Sequence, residues 1–92
     1  MIDTEFEDLV AARAHALNVL VTFARNISNA DDFGDMLGAL RLTELAAQQA
    51  RSAIIREARA AGDSWENIAD ALGTSTQAAR SGFELPNHQQ PQ

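Results

Sequence analysis

The sequence predicts an all-α fold of four to five helices, an N-terminal helical hairpin followed by a C-terminal helix-turn-helix. Three observations carry this expectation. Apolar residues recur at helical spacing over two long stretches, from Phe6 to Ile27 and from Leu37 to Ala61. Residues that start and stop helices stand at the ends of those stretches and beyond them, at Thr4, Gly62, Ser64, Gly73 and Ser75. A chain of 92 residues has room for one small domain, whose stability is marginal unless it packs against a second copy or a partner.

Thr4-Glu5-Phe6-Glu7 matches a capping box, with Thr4 as N-cap and Glu7 reaching back. Asp3, Glu5, Glu7 and Asp8 add negative charge at the positive end of the helix dipole. Phe6, Leu9, Val10, Arg13, Leu17, Leu20, Val21, Ala24 and Ile27 then follow at helical spacing, and Val19 and Phe23 widen the face. A first helix over about residues 4–27 follows, apolar enough to be covered on two sides, in a bundle core or a dimer seam.

Ser28-Asn29-Ala30-Asp31-Asp32 forms a turn cluster and supplies the next cap. A helical turn around 32–37, weakened by Gly34 and Gly38 and with an irregular form as the alternative, leads into a second helix reaching Ala61. Its expected buried stripe is Leu37, Leu40, Ala47, Ala50, Ile54, Ala58 and Ala61, with a break at Thr43 as an alternative. Gly62 provides the left-handed residue that ends it. Ser64 caps a short third helix, with Trp65, Ile68, Ala69 and Leu72 inward. Gly73 closes that helix, and Ser75 caps a last one from Thr76 to about Phe83. Pro86 ends regular structure. The expected organisation is one helical domain over 1–85, divided into a hairpin part (1–44) and a helix-turn-helix part (45–85), with a mobile tail at 86–92.

Composition narrows the chemistry. There is no Cys, so disulfides and thiolate metal sites are excluded. Charged and polar residues interrupt every apolar run, so no membrane span fits, and the acidic start does not resemble a secretory signal. A cytoplasmic protein is expected. Seven basic residues, all Arg, oppose thirteen acids for a net charge of −6. The acidity is concentrated in residues 1–44, with eight acids and three Arg, whereas residues 45–83 balance four against four. His15 and His88 stand apart, and Asp31, Asp32 and Asp35 lack the spacing of a calcium loop, so they read as a helix cap. No nucleophile–base set is present. We expect no enzyme, no metal and no cofactor.

The run AAGDSWENIADALGTSTQAARSGF has a small residue, Ala69, four positions before the turn Gly73, and Ile68, Leu72, Ala79 and Phe83 as an apolar lock. It resembles the helix-turn-helix of small actinobacterial and phage-type DNA-binding proteins, over residues 52–83 and departing from their pattern at Thr74, Thr76 and Ser81-Gly82. The resemblance implies DNA contacts from Ser75, Thr76, Gln77 and Arg80; Arg56 and Arg59 would add phosphate contacts if the second helix flanks the backbone. Hydroxyls and backbone N–H groups at a helix start suit phosphate, Gln suits adenine, and Arg suits guanine or phosphate. The structural alternative makes Gln77 and Arg80 ordinary solvated residues, and Trp65 reads as a core anchor before a stacking platform. The expected function is a small DNA-binding transcriptional regulator that binds double-stranded DNA as a homodimer. The alternative is a non-enzymatic, antitoxin-like adaptor or inhibitor whose acidic N-terminal half meets a protein partner.

Overall fold

The computed structural model describes residues 4–84, with side chains as far as Gly82. Asp3, the Phe83 side chain, the Pro86 stop, the 86–92 tail and His88 lie outside the described residues. Four α-helices follow in order: α1 (Thr4–Asn29), α2 (Phe33–Ala60), α3 (Trp65–Leu72) and α4 (Thr76–Glu84). The first two form a packed hairpin. The chain divides into two compact units, Met1–Ile54 and Ile55–Gln92, and α2 runs through the boundary.

In the first unit Asp32 starts α2, its Oδ1 accepting the Asp35 N–H at 2.7 Å. The cap fixes a regular helix from Phe33 onward, so the helical turn expected at 32–37 is the first part of α2 and carries no irregularity. Nor does α2 break at Thr43. The Thr43 hydroxyl donates to the Ala39 carbonyl at 2.8 Å, which satisfies it inside an unbroken helix.

The buried stripe differs from the one expected. Among the described residues of this unit only Ala46, Ala50 and Ala53 of α2 are buried, and α1 has no buried residue. Leu37, Leu40 and Ile54, placed inward from the sequence, are 65%, 41% and 44% exposed. Ala47 is exposed as well, and so is Ala61 beyond the end of α2. The reason is one of size. Apolar residues occupy several sides of α2, and helix–helix spacing is set by the side chains at the contact. Alanines allow a close approach, and the larger residues remain on the flanks.

In the second unit, turn chemistry fixes the chain. Gly62, at φ 105°, ends α2, and the Asp63 N–H reaches back to the Ala58 carbonyl at 2.9 Å. Ser64 then accepts the Asn67 N–H at 3.0 Å and starts α3. At the far end Gly73 sits at φ 74°, and the Thr74 N–H bonds the Ala69 carbonyl at 3.0 Å. Ser75 accepts the Ala78 N–H at 3.1 Å and starts α4. Ile55, Trp65, Ile68, Ala69 and Ala79 form the core, with Ala58 packed against it. Leu72, expected inward, is 41% exposed. It shares the inward face of α3 but is the helix's last residue, and periodicity gives a direction without giving the reach of the neighbouring helix.

Ala69 is 2% exposed where α3 meets its neighbours, so a larger side chain must displace them. Ala69→Leu is expected to cost about 1–3 kcal/mol by overpacking. Gly73→Ala should cost about 1 kcal/mol, because Ala is strained at positive φ. Urea unfolding followed by circular dichroism measures both, with Ser81→Ala as the exposed control. Two variants as stable as the control would contradict this packing.

Candidate nucleic-acid interface

The candidate residues gather around α4. Ala79 points into the core, so the opposite face of α4 is turned outward. Gln77 and Arg80 are exposed, whereas Thr76 at the first position is half-buried. Ser75 is exposed, and its oxygen already serves as the α4 cap. A hydroxyl has one donor beside its two acceptor sites, so Ser75 retains a proton to offer a phosphate. Four of the six expected contact residues thus lie on α4 or at its start, three of them open to solvent.

The remaining two, Arg56 and Arg59, are exposed near the end of α2. Arg59 is fixed twice. It donates from Nη1 to the Asp63 carbonyl at 2.9 Å, and its guanidinium carbon lies 5.1 Å from the centre of the Trp65 ring. Arg80 approaches the same ring at 5.7 Å. Both distances fall within the ~6 Å range in which a cation is attracted to an aromatic face. The spacing of Arg56 and Arg59 on one helix was readable from the sequence. The meeting of Arg59 with Arg80, from different helices, was not.

Trp65 therefore acts in two ways. At 9% exposure it belongs to the core cluster, as the sequence implied, and it also carries two arginines. Its position follows from Ser64, since capping places Trp65 at the first position of α3. Glu66 and Asp70, four residues apart on α3, are exposed away from the inward face.

Other chemistry is sparse. Among the described residues no three His, Asp or Glu side chains gather at metal-binding range. No described helix is long and apolar enough to cross a membrane. In the hairpin an apolar cleft of about 300 Å³ lies between His15, Val19 and Phe23 of α1 and Leu42, Leu45 and Gln49 of α2.

The Arg–Trp contacts should be measurable. Arg59→Ala and Arg80→Ala are each expected to lower stability by about 0.5–1 kcal/mol, the range of exposed cation–π pairs. A double-mutant cycle with Trp65→Leu isolates that coupling, and zero coupling for both arginines would show the contacts to be idle. No protein-family model, curated protein or solved structure matches the chain.

Proposed function

We propose that the chain is a non-enzymatic helix-turn-helix regulator of the cytoplasm that binds double-stranded DNA as a homodimer. The observation that carries this reading is the pairing of α3 with α4. A left-handed Gly73 and the Ser75 cap turn the chain between two short helices, and Ala69 and Ala79 lock them. That lock leaves Gln77 and Arg80 outward on the second helix, the element such units lay in the major groove. The resemblance of residues 52–83 to actinobacterial and phage-type DNA-binding units supports the same reading.

The hairpin supplies the argument for two copies. A unit that buries only alanines has little core of its own. Phe33, Leu37 and Leu40, at helical spacing on α2, are 81%, 65% and 41% exposed. A ridge of this kind is uncommon on a monomer and typical of an interaction surface. Two copies also present two reading helices, which suits a paired half-site. A different protein could cover the same ridge, and Asp31, Asp32 and Asp35 beside it would then meet a basic partner.

Duplex DNA selected from a random pool tests the reading. Binding should weaken steeply with salt, by a slope of about −0.9 for each phosphate neutralised. Gln77→Ala should cost about 1–3 kcal/mol on selected sites and little on random duplex. A pool that yields no enriched sequence at low salt would defeat the DNA reading.

Sedimentation tests the dimer separately. The chain should sediment as a dimer at tens of micromolar, and Leu37→Glu should shift it to monomer while circular dichroism still reports helix. A wild-type monomer at that concentration rules out self-association and leaves the ridge to a foreign partner.

A further inference from the structure

We infer that Arg59 and Arg80, held on the Trp65 ring, form a two-armed clamp for one phosphate group of a nucleic-acid backbone. The proposal deepens the DNA-binding reading and rests on it for the owner of the phosphate. It changes the role of Arg80. In the clamp Arg80 holds the backbone, and Gln77 is left as the base reader.

Three observations point to an anion there. The guanidinium carbons lie 5.1 and 5.7 Å from one ring centre, so positive charges from the last turn of α2 and from α4 share one ring. Like charges repel, and the two can be no farther apart than the sum of those distances, which is comparable to the ~8–10 Å screening length of physiological salt. An anion received by both turns that repulsion into attraction. The contacts shown for the two arginines, the Asp63 carbonyl and the Trp65 ring, carry no net charge, so they leave the positive charge of each in place.

The donor geometry is suited to phosphate. Guanidinium is a planar fork with five N–H donors. Arg59 uses Nη1 on the Asp63 carbonyl, which orients the group and leaves donors over, and Arg80 is held against the ring. Stacking on Trp65 restricts both side chains before any ligand arrives, so less conformational freedom is lost on binding. The ring is itself immobilised in the core between Ile55, Ile68 and Ala79. Ser75, capping α4, offers the nearby hydroxyl and helix start that a neighbouring phosphate would meet.

Trp65 is the only Trp, so the full-length protein reports on the clamp through its own fluorescence. Inorganic phosphate is titrated against sodium chloride at matched ionic strength, and duplex DNA of random sequence is titrated in parallel. Phosphate should change Trp65 emission in the wild type. Arg59→Ala and Arg80→Ala should each weaken that response about tenfold, as expected for loss of a charge-assisted contact. Ser81→Ala, at an exposed position outside the proposed contacts, should leave it unchanged. Both arginine variants should also bind every duplex about tenfold less tightly, without altering which sequence is preferred. Circular dichroism confirms that the variants are folded, and Arg→Lys at both positions keeps the charge while removing the fork.

A wild-type emission that phosphate moves no more than chloride does would overturn the clamp. So would arginine variants that respond to phosphate as the wild type does. If phosphate binds through both arginines and no duplex binds, the clamp stands with a small phosphate-bearing ligand and the DNA reading fails. If duplexes bind equally well to wild type and both variants, the DNA reading stands and the clamp fails.

Discussion

The Trp65 ring is the constraint on which the second unit depends. Among the described residues its other buried side chains are Ile55, Ile68, Ala69 and Ala79, and two alanines contribute little area. A large aromatic side chain buries far more than either, so Trp65 supplies much of what holds the end of α2 and the two short helices together. Its position is set locally. The Gly62 turn releases the chain, Ser64 caps, and the next residue enters α3 with its side chain inward. A shift of one residue in that cap would turn the ring some 100° round the helix and lose the core and the arginine contacts together. Turn chemistry, packing and charge placement thus meet in one residue.

Much of this region was legible in the sequence because its signals are one-dimensional. Ser64, Gly73 and Ser75 act on backbone groups within a few residues, so type and spacing identify their roles without tertiary information. What the sequence left open depends on reach and size. Leu72 lies on the predicted face, but cover there depends on how far a neighbouring helix extends. Leu37 and Leu40 fit a helical stripe as well as Ala46, Ala50 and Ala53 do. The alanines are the ones buried, because helix approach favours small side chains and hydropathy favours large ones. Arg59 and Arg80 are twenty-one positions apart, and only the crossing of their helices brings them to one ring.

The hairpin shows the same contest from the other side. Large residues normally fill a helix–helix core and small ones fall where space is short. Here the small ones are inside, and Phe33, Leu37, Leu40, Leu42 and Leu45 are outside. Such an arrangement fits a layer that is completed by further helices. Among the described residues of the hairpin the alanines are the buried ones, and the exposed leucines and Phe33 supply the area for whatever packs next. A solitary hairpin would bury its leucines first, since each exposed methylene forfeits about 0.8 kcal/mol of burial.

The acidic balance of the chain is a weaker argument against an anionic partner than it first looks. A net charge of −6 describes the field far from the protein, and salt screens that field beyond about 8–10 Å. Contact affinity depends on the charges within that distance. Five of the six excess negative charges come from residues 1–44, and residues 45–83 are neutral overall. Within that neutral stretch the charges are sorted by face. Glu66 and Asp70 stand on the solvent side of α3, while Arg59 and Arg80 converge on Trp65 at its inward start. In the proposed clamp a phosphate would meet Arg59 and Arg80 in a stretch whose own charges balance. For a nucleic-acid ligand, global acidity would slow the approach and suppress indiscriminate binding, leaving the affinity to a few well-placed donors. An acidic protein with two oriented arginines can in this way be a more selective ligand for a backbone than a uniformly basic one.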